Sequence, residues 1–379
     1  MEDNMAKRII GLLALALTLC AGAVQAAPLK IGVLAPISGS SAADGNDIVK
    51  GVKTAVEVLK AEGGIPGFDG VDVEVQDSAC DPRQAVAGAN KLANSKVAGV
   101  IGAYCSSATI PASEVLNEEK ITMITPASTN PKVTERGFKY MYRMCGLDIH
   151  QATAAGKFMK DQLKAKTIFI LDDKTTYSQH LAEYVAEECK KIGINVVAQE
   201  HVNDGDMDYS AVLTKVKQAN PDVFYMSLQS SSSGIRMIKQ IRQAGLKCAI
   251  LSQDAVYHPN FIKEAPEQSQ GVFFTFGYAD KNSPVYKKFL EKYSAMNGEP
   301  GAYSAYAFDS AYALLTAIKA AKSTDADKIR AEMMKLNLVG ASKTIKFQDN
   351  GDSGSNYVIY KVEGDKYKEY YNPETGKLF

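Results

Sequence analysis

Hydrophobic residues along this chain follow two periods, and the two take turns. Leu29 to Ala35 is a short apolar run, and Ile48 to Leu59 then repeats apolar residues at helical spacing until Gly63 and Gly64 stop it. Val71 to Val75 alternates strictly, which predicts a strand with one wet face. Helix Gln84 to Ala93, strand Val97 to Ala103, helix Pro111 to Glu118 and strand Thr122 to Thr125 continue the series. After Tyr140 to Cys145 the alternation starts again, with helix His150 to Leu163, strand Thr167 to Leu171, helix Ser178 to Lys191 and strand Val196 to His201. Helix Tyr209 to Gln218, strand Asp222 to Leu228, helix Gly234 to Ala244, and strands Ala249 to Ser252 and Gly271 to Phe276 follow. Strands separated by helices require crossover connections, so the two series predict an α/β protein with two doubly wound parallel-sheet lobes of similar fold.

The last section reads differently. Helices Pro284 to Ala295, Ala305 to Ala321 and Asp325 to Leu336 come in succession, and strands are predicted at Lys343 to Gln348, Tyr357 to Lys361 and Tyr367 to Tyr371. A helix cluster with so little sheet cannot stand alone. It is expected to pack on the first lobe, with the closing hairpin returning to the second. The chain then crosses between lobes near Gly146, Phe276 and Gly351, and the absence of a Pro/Ser-rich tether predicts a hinge at these crossings. The expected lobes are 27–147 with 277–351, and 148–276 with 352–379. No internal repeat and no low-complexity segment is visible.

The first 26 residues belong to neither lobe. Lys7 and Arg8 precede the apolar run Ile9 to Leu19, and Ala23-Val24-Gln25-Ala26 offers small residues for cleavage after Ala26. The run is shorter than the ~20 residues a bilayer span requires, so this reads as a cleaved secretory signal. Glu2 and Asp3 are out of place in such a leader, and translation from Met5 would remove them. A lipid anchor on Cys20 is the alternative, but Leu19 is too large for the position before a lipidated cysteine. The mature chain has the length of two ordinary domains.

Charge narrows the partners. The chain carries 43 basic and 43 acidic residues, a formal net charge of zero, and no block of like charge marks a nucleic-acid surface. Five of the six cysteines survive cleavage: Cys80, Cys105, Cys145, Cys189 and Cys248. Cys80 and Cys105 each follow a strand and precede a helix, so both belong on one rim of a parallel sheet, and an oxidising compartment favours their pairing. On the loop-entropy account that bridge stabilises by roughly 3 kcal/mol. Whether Cys189 and Cys248 pair is left open. There is no Cys-x-x-Cys and no His-rich cluster, so no metal or other cofactor is expected.

Small ligands of α/β proteins bind at the carboxyl rim of the sheet. Ser106 and Ser107 open a helix there, and a helix N-terminus with free amides and hydroxyls holds a carboxylate; the alternative is plain N-capping. Ile124-Thr125-Pro126-Ala127-Ser128-Thr129 ends the next strand, and Pro126 interrupts ladder pairing, which makes the carbonyls and hydroxyls of Ala127 to Thr129 available to an ammonium. Adjacent turns, one of donors and one of acceptors, suit a zwitterion.

Several separate motifs then agree with one family. Ser78-Ala79-Cys80-Asp81-Pro82-Arg83-Gln84-Ala85-Val86, then Gly102-x-x-Cys105-Ser106-Ser107-x-Thr109-x-Pro111-Ala112-Ser113, then Ile124-Thr125-Pro126-Ala127 and Gly146-Leu147-Asp148 resemble the leucine/isoleucine/valine-binding proteins of ABC importers. The likeness extends over the mature chain, through Ile37-Ser38-Gly39 and Gly63-Gly64-Ile65. It implies a type I periplasmic binding fold with a three-strand hinge. It also implies a periplasmic monomer without cofactor that takes a free amino acid and serves an inner-membrane ABC permease. Residue by residue, it implies that Ser106, Ala127 and Thr129 hold the ligand's α-carboxylate and α-ammonium from the first lobe. Tyr177 and Asp254 would reach across from the second; their alternatives are a surface aromatic and a helix cap.

The side-chain pocket departs from that family's pattern. Its aromatic before the glycine at Gly45 is replaced by Asp44, and a second aromatic by Gln229, while Tyr104 and Tyr303 still offer rings. Polar groups against an aliphatic side chain are costly, so a polar or polar-aromatic amino acid is expected, unless Asp44 faces solvent. Two other functions compete. A ligand sensor for a signalling receptor would use the same site. An exported hydrolase with Cys105 or Ser106 as nucleophile would need a base, yet His150, His180, His201 and His258 all fall in the second lobe and no Gly-x-Ser-x-Gly elbow occurs. The expectation is a binding protein and not an enzyme.

Overall fold

The computed structural model describes residues 27–379. The expected signal segment and its cleavage site at Ala26 lie outside the described residues. Strands β1 (Leu29–Ala35), β2 (Val71–Asp77), β3 (Gly99–Gly102), β4 (Thr122–Thr125) and β5 (Met141–Arg143) form an all-parallel sheet in the order β2-β1-β3-β4-β5. The inner strands β3 and β4 are buried at every residue, which is why they read as apolar runs. Strand β2 lies at the sheet edge and is half-buried, which is what its alternation signalled. Gly102 lets β3 close on β1: a Cβ there would sit 2.0 Å from the Leu34 carbonyl oxygen, at a φ of +142°.

Helices α1 (Ala42–Ala61), α2 (Pro82–Asn94) and α3 (Ser106–Glu118) connect these strands. Helix α3 begins five residues before the predicted start, with Pro111 inside it; the proline leaves the Ser107 carbonyl without its usual helical donor.

The second sheet is built from β6 (Thr167–Asp172), β7 (Asn195–His201), β8 (Val223–Ser227), β9 (Ala249–Ser252) and β10 (Phe273–Gly277), joined through α4 (Asp148–Asp161), α5 (Thr176–Ile192), α6 (Ser210–Ala219), α7 (Ser231–Gln243) and α8 (Pro259–Glu264). These five strands are parallel and run β7-β6-β8-β9-β10, the same order as the first sheet. The duplication is in topology, where no sequence repeat is visible. The closing hairpin returns to this lobe as expected: β13 (Tyr357–Glu363) and β14 (Lys366–Asn372), with a short β15 (Lys377–Leu378), extend the sheet antiparallel beyond β10.

Between β10 and β13 come α9 (Pro284–Asn297), α10 (Ser304–Ala321) and α11 (Ala326–Met333), and α10 packs along α1 of the first lobe. The predicted strand Lys343 to Gln348 is in fact only β12 (Thr344–Ile345), paired with a two-residue β11 (Leu338–Val339). The chain is type I periplasmic binding in fold, with two α/β lobes.

Three segments run side by side where the sheets meet. Arg143 N donates to Gly351 O (2.9 Å), Ser353 N to Arg143 O (3.2 Å), Leu147 N to Ser355 Oγ (3.0 Å) and Tyr278 N to Asn356 O (2.9 Å). Arg143 is fully buried there. Its Nε donates to Asp352 Oδ1 (2.7 Å), Nη1 to Asn130 O (2.7 Å) and Ser128 O (3.3 Å), and Nη2 to Thr134 Oγ1 (2.6 Å). A buried charge is tolerated when every donor is used this way, and this one also fixes the turn after β4.

Candidate functional site

The order shared by both sheets places a switch point between β1 and β3, and another between β6 and β8, where neighbouring connections leave in opposite directions and open a crevice. The first crevice is tied together by short-range bonds. Asp77 accepts from Ile37 N (2.8 Å), Ala79 N (2.8 Å) and Ser38 Oγ (2.6 Å), linking the turns after β1 and β2. Cys80 and Cys105 form a disulfide with Cα atoms 5.4 Å apart, and Ser107 Oγ donates to Cys80 O (3.1 Å).

Thr125 Oγ1 donates to Ala103 O (2.7 Å) and Ser128 Oγ to Tyr104 O (2.9 Å), so the turn after β4 is fastened to the turn after β3. The Ser128 and Thr129 carbonyls accept from Arg143 Nη1 and Asp148 N (3.1 Å). This narrows the sequence reading: the Ser128 hydroxyl and carbonyl are taken up by the fold, while the Thr129 carbonyl accepts one bond and keeps a second lone pair. The hydroxyls of Ser106 and Thr129 are different. Both are buried and neither has a hydrogen-bond partner.

The second crevice carries the acid. The Tyr177 hydroxyl, at the start of α5, donates to the Asp254 carboxylate, and both residues are buried. Burial pushes the Asp254 carboxyl up to about 6, against the opposing hydrogen bond from Tyr177. Asp173 accepts from Thr175 Oγ1 (2.9 Å), the Ser178 hydroxyl and Gln229 N (2.5 Å), which fixes the Tyr177 turn against the Gln229 turn.

The two crevices meet. Tyr104 OH donates to Gln229 O (3.4 Å), Ser232 Oγ to Ser40 O (2.8 Å) and Ser40 Oγ to Asp204 Oδ2 (3.1 Å). Tyr104, Ser106, Ala127, Tyr177, Gln229 and Tyr303 line one shared cavity of ≈ 10 Å³, and Asp254 and Tyr303 line a second of the same size beside Cys145 and Gly146. The Tyr104 and Tyr303 rings meet edge to face, centroids 5.2 Å apart. Thr129 and Asp44 line neither cavity. Asp44 is only 1% exposed, so it does not face solvent, and burial together with the charge of Asp47 holds its carboxyl well above the usual range.

A cavity of ≈ 620 Å³ opens alongside, lined by Tyr257, Phe276, Tyr286, Phe289, Tyr306, Tyr360 and Tyr367. It is much larger, yet it has none of the partnerless buried hydroxyls and carboxylates that could hold a zwitterion.

Two residues of the site were given no role by sequence reasoning. Asp148 is fully buried with neither oxygen in a close hydrogen bond, and burial pushes its carboxyl up to about 7 against the opposing pull of the neighbouring Thr129 hydroxyl. Its signal was present in Gly146-Leu147-Asp148. Arg143 had no signal, since one arginine in a short strand looks like any surface cation. Cys105 is held in the disulfide, and Ser106 Oγ has no base in contact, so neither is armed as a nucleophile. No cluster of three or more metal-ligating side chains occurs among the described residues.

Residues 28–367 match the family described as periplasmic binding protein. The chain belongs to that family. It is 37% identical to an amino acid binding protein of Pseudomonas aeruginosa, over 97% of this chain and 100% of that protein. It is 34% identical to Leu/Ile/Val-binding protein homolog 1 of Brucella suis, over 95% of this chain and 97% of that one. Among solved structures, a branched-chain amino acid transporter substrate-binding protein of Streptococcus pneumoniae, in complex with isoleucine, superposes with a TM-score of 0.82 at 25% identity, covering 90% of this chain and 98% of that one. This periplasmic binding protein thus sits in the Leu/Ile/Val-binding branch, whose members are solute-binding proteins.

Proposed function

We propose that the protein binds one free α-amino acid between its lobes and presents the closed form to an inner-membrane ABC permease, working as a periplasmic monomer after removal of residues 1–26. The lobes comprise 27–147 with 277–351, and 148–276 with 352–379. The observation that carries the reading is the pairing of partnerless hydroxyls on the first lobe, Ser106 and Thr129, with the Tyr177–Asp254 couple on the second. An α-carboxylate takes the Ser106 hydroxyl and the amides at the start of α3. The α-ammonium goes between Thr129 and Asp254, where a carboxylate supplies a charge-assisted bond.

Neither lobe completes this set of contacts. The ligand therefore stabilises the closed arrangement over any open one by the contacts that exist only when both lobes are engaged. The side chain points toward Tyr104, Gln229 and Tyr303, a lining more polar than an aliphatic ligand requires. Calorimetry of Asp254→Ala against a panel of amino acids tests the reading. Affinity for every member is expected to fall by several kcal/mol, through loss of the ammonium's partner. Unchanged affinity refutes the assignment.

A further inference from the structure

Helix α1 carries two buried carboxylates three residues apart, and their surroundings differ completely. Asp47 accepts from Tyr293 OH (2.8 Å), Gly301 N (3.0 Å), Tyr303 N (3.0 Å) and the Ser304 hydroxyl. Asp44 is as deeply buried, and neither of its oxygens has a partner. A buried carboxyl without a donor or a cation holds its proton, as burial and the charge of Asp47 make Asp44 do, and gives it up only when a cation arrives. The protein supplies four donors from other residues to Asp47, while Asp44, in the first turn of α1, has at most its own backbone amide. Asp44 is half of a pair.

Its position says what completes that pair. The loop just before α1 meets the second lobe through Ser40, which contacts Ser232 and Asp204. The charge of Asp44 is felt at the hydroxyls of Tyr104 and Tyr303, the two rings that line the side-chain end of the site. The charges that act most on Tyr104 are carboxylates, those of Asp44, Asp254, Asp204 and Asp173. No lysine or arginine lines either small cavity, and the nearby buried cation, Arg143, is spent on Asp352 and three neighbouring groups.

A zwitterion brings no net charge to this setting. Its ammonium answers Asp254, and Asp44 keeps its proton and stays without a partner. We propose that the ligand is a basic α-amino acid whose side-chain cation pairs with Asp44, flanked by the rings of Tyr104 and Tyr303. Tyrosine faces add to the attraction for a cation. This rests on the amino-acid-binding reading above and narrows it to lysine, ornithine or arginine chemistry.

The test is a calorimetric panel on the full mature protein with L-lysine, L-ornithine, L-arginine, L-threonine, L-glutamine, L-leucine and L-isoleucine. One basic member is expected to bind at least tenfold more tightly than leucine. Asp44→Asn, nearly isosteric, is expected to weaken that member at least tenfold while leucine changes less than twofold. A neutral amino acid binding tightest overturns the proposal, and so does an Asp44→Asn variant that weakens all ligands equally. The wild-type ranking decides even if the variant fails to fold. Asp254→Ala separates the two levels: if leucine binds best and that variant abolishes it, only the Asp44 pairing falls. If no amino acid binds the wild type, the amino-acid-binding reading falls with it.

Discussion

The two ends of the inter-lobe site are built by different means. The end assigned to the α-carboxylate and α-ammonium is made from turns that the sheets themselves position: those after β3 and β4, each fastened to its neighbour by the Cys80–Cys105 bridge, Thr125, Ser128 and Arg143. The end proposed to receive the side chain depends on four single residues: Asp44 in the first turn of α1, and Tyr104, Gln229 and Tyr303 in turns that lead into helices. The rim contacts of Tyr104 and Gln229 to Ser128 and Asp173 run through their backbones, so a change of side chain at either keeps them. One fold can therefore keep the α-amino-acid grip and change its ligand, which is why fold alone does not name what is bound.

The largest effects should come from breaking the constructed end. Asp254→Ala is expected to remove several kcal/mol of affinity for every ligand, as set out above. Arg143→Leu removes a buried cation and strands Asp352 without its partner, with an expected loss of ~3–5 kcal/mol of stability. Because the same arginine holds the Ser128 and Asn130 carbonyls, chemical denaturation should show the loss together with weaker binding of all amino acids. A stability loss with unchanged affinity would mean that the arginine supports the hinge alone.

Acid should sharpen the comparison, because the α-end carries two buried carboxyls with raised values, Asp254 to about 6 and Asp148 to about 7. A carboxyl raised on burial holds its proton more tightly in the closed form than in water, so it favours closure fully at low pH. That contribution is lost as pH rises from the ordinary carboxyl range through 6 and then 7. Every tenfold gain in proton affinity on closure is worth about 1.4 kcal/mol. The ligand-free protein should become more compact in solution scattering as pH falls from 7 to 5, and saturating amino acid should remove the part of the dependence that belongs to Asp254. Expansion on acidification would contradict this.

Removing the bridge with Cys80→Ser and Cys105→Ser should cost roughly 3 kcal/mol. The melting temperature falls, while ligand ranking is unchanged, since the bridge touches only the shared end. The smallest change is expected for Asp44→Asn, which leaves stability nearly as it was and moves only the order of ligands.

Much of the architecture was legible. Period-2 and period-3.6 stretches located the strands and helices, and edge strand β2 announced itself by alternation. What pattern reading lost were short elements whose pairing is tertiary: β11, β15, and the shrunken β12, each two residues long. The duplicated strand order was also invisible, because topology is set by which strands find each other and not by repeated residues.

At the site, motif spacing brought six predicted residues to one cavity. Their neighbours were harder. Arg143 is recognisable only once Asp352, more than 200 residues away, is folded against it. The partnerless state of Asp44 appears only beside the fully bonded Asp47.

Strand β10 sits between β9 and β13, and β13 begins at Tyr357, close to the end of the chain. The second sheet is therefore complete only once a segment at least 80 residues further along the chain has docked on β10. Until then β10 offers an open edge, which invites pairing with other chains or capture by a holding chaperone. A chain cut before Tyr357 keeps that bare edge, so the closing hairpin acts as a cover for the second sheet as well as its last strands.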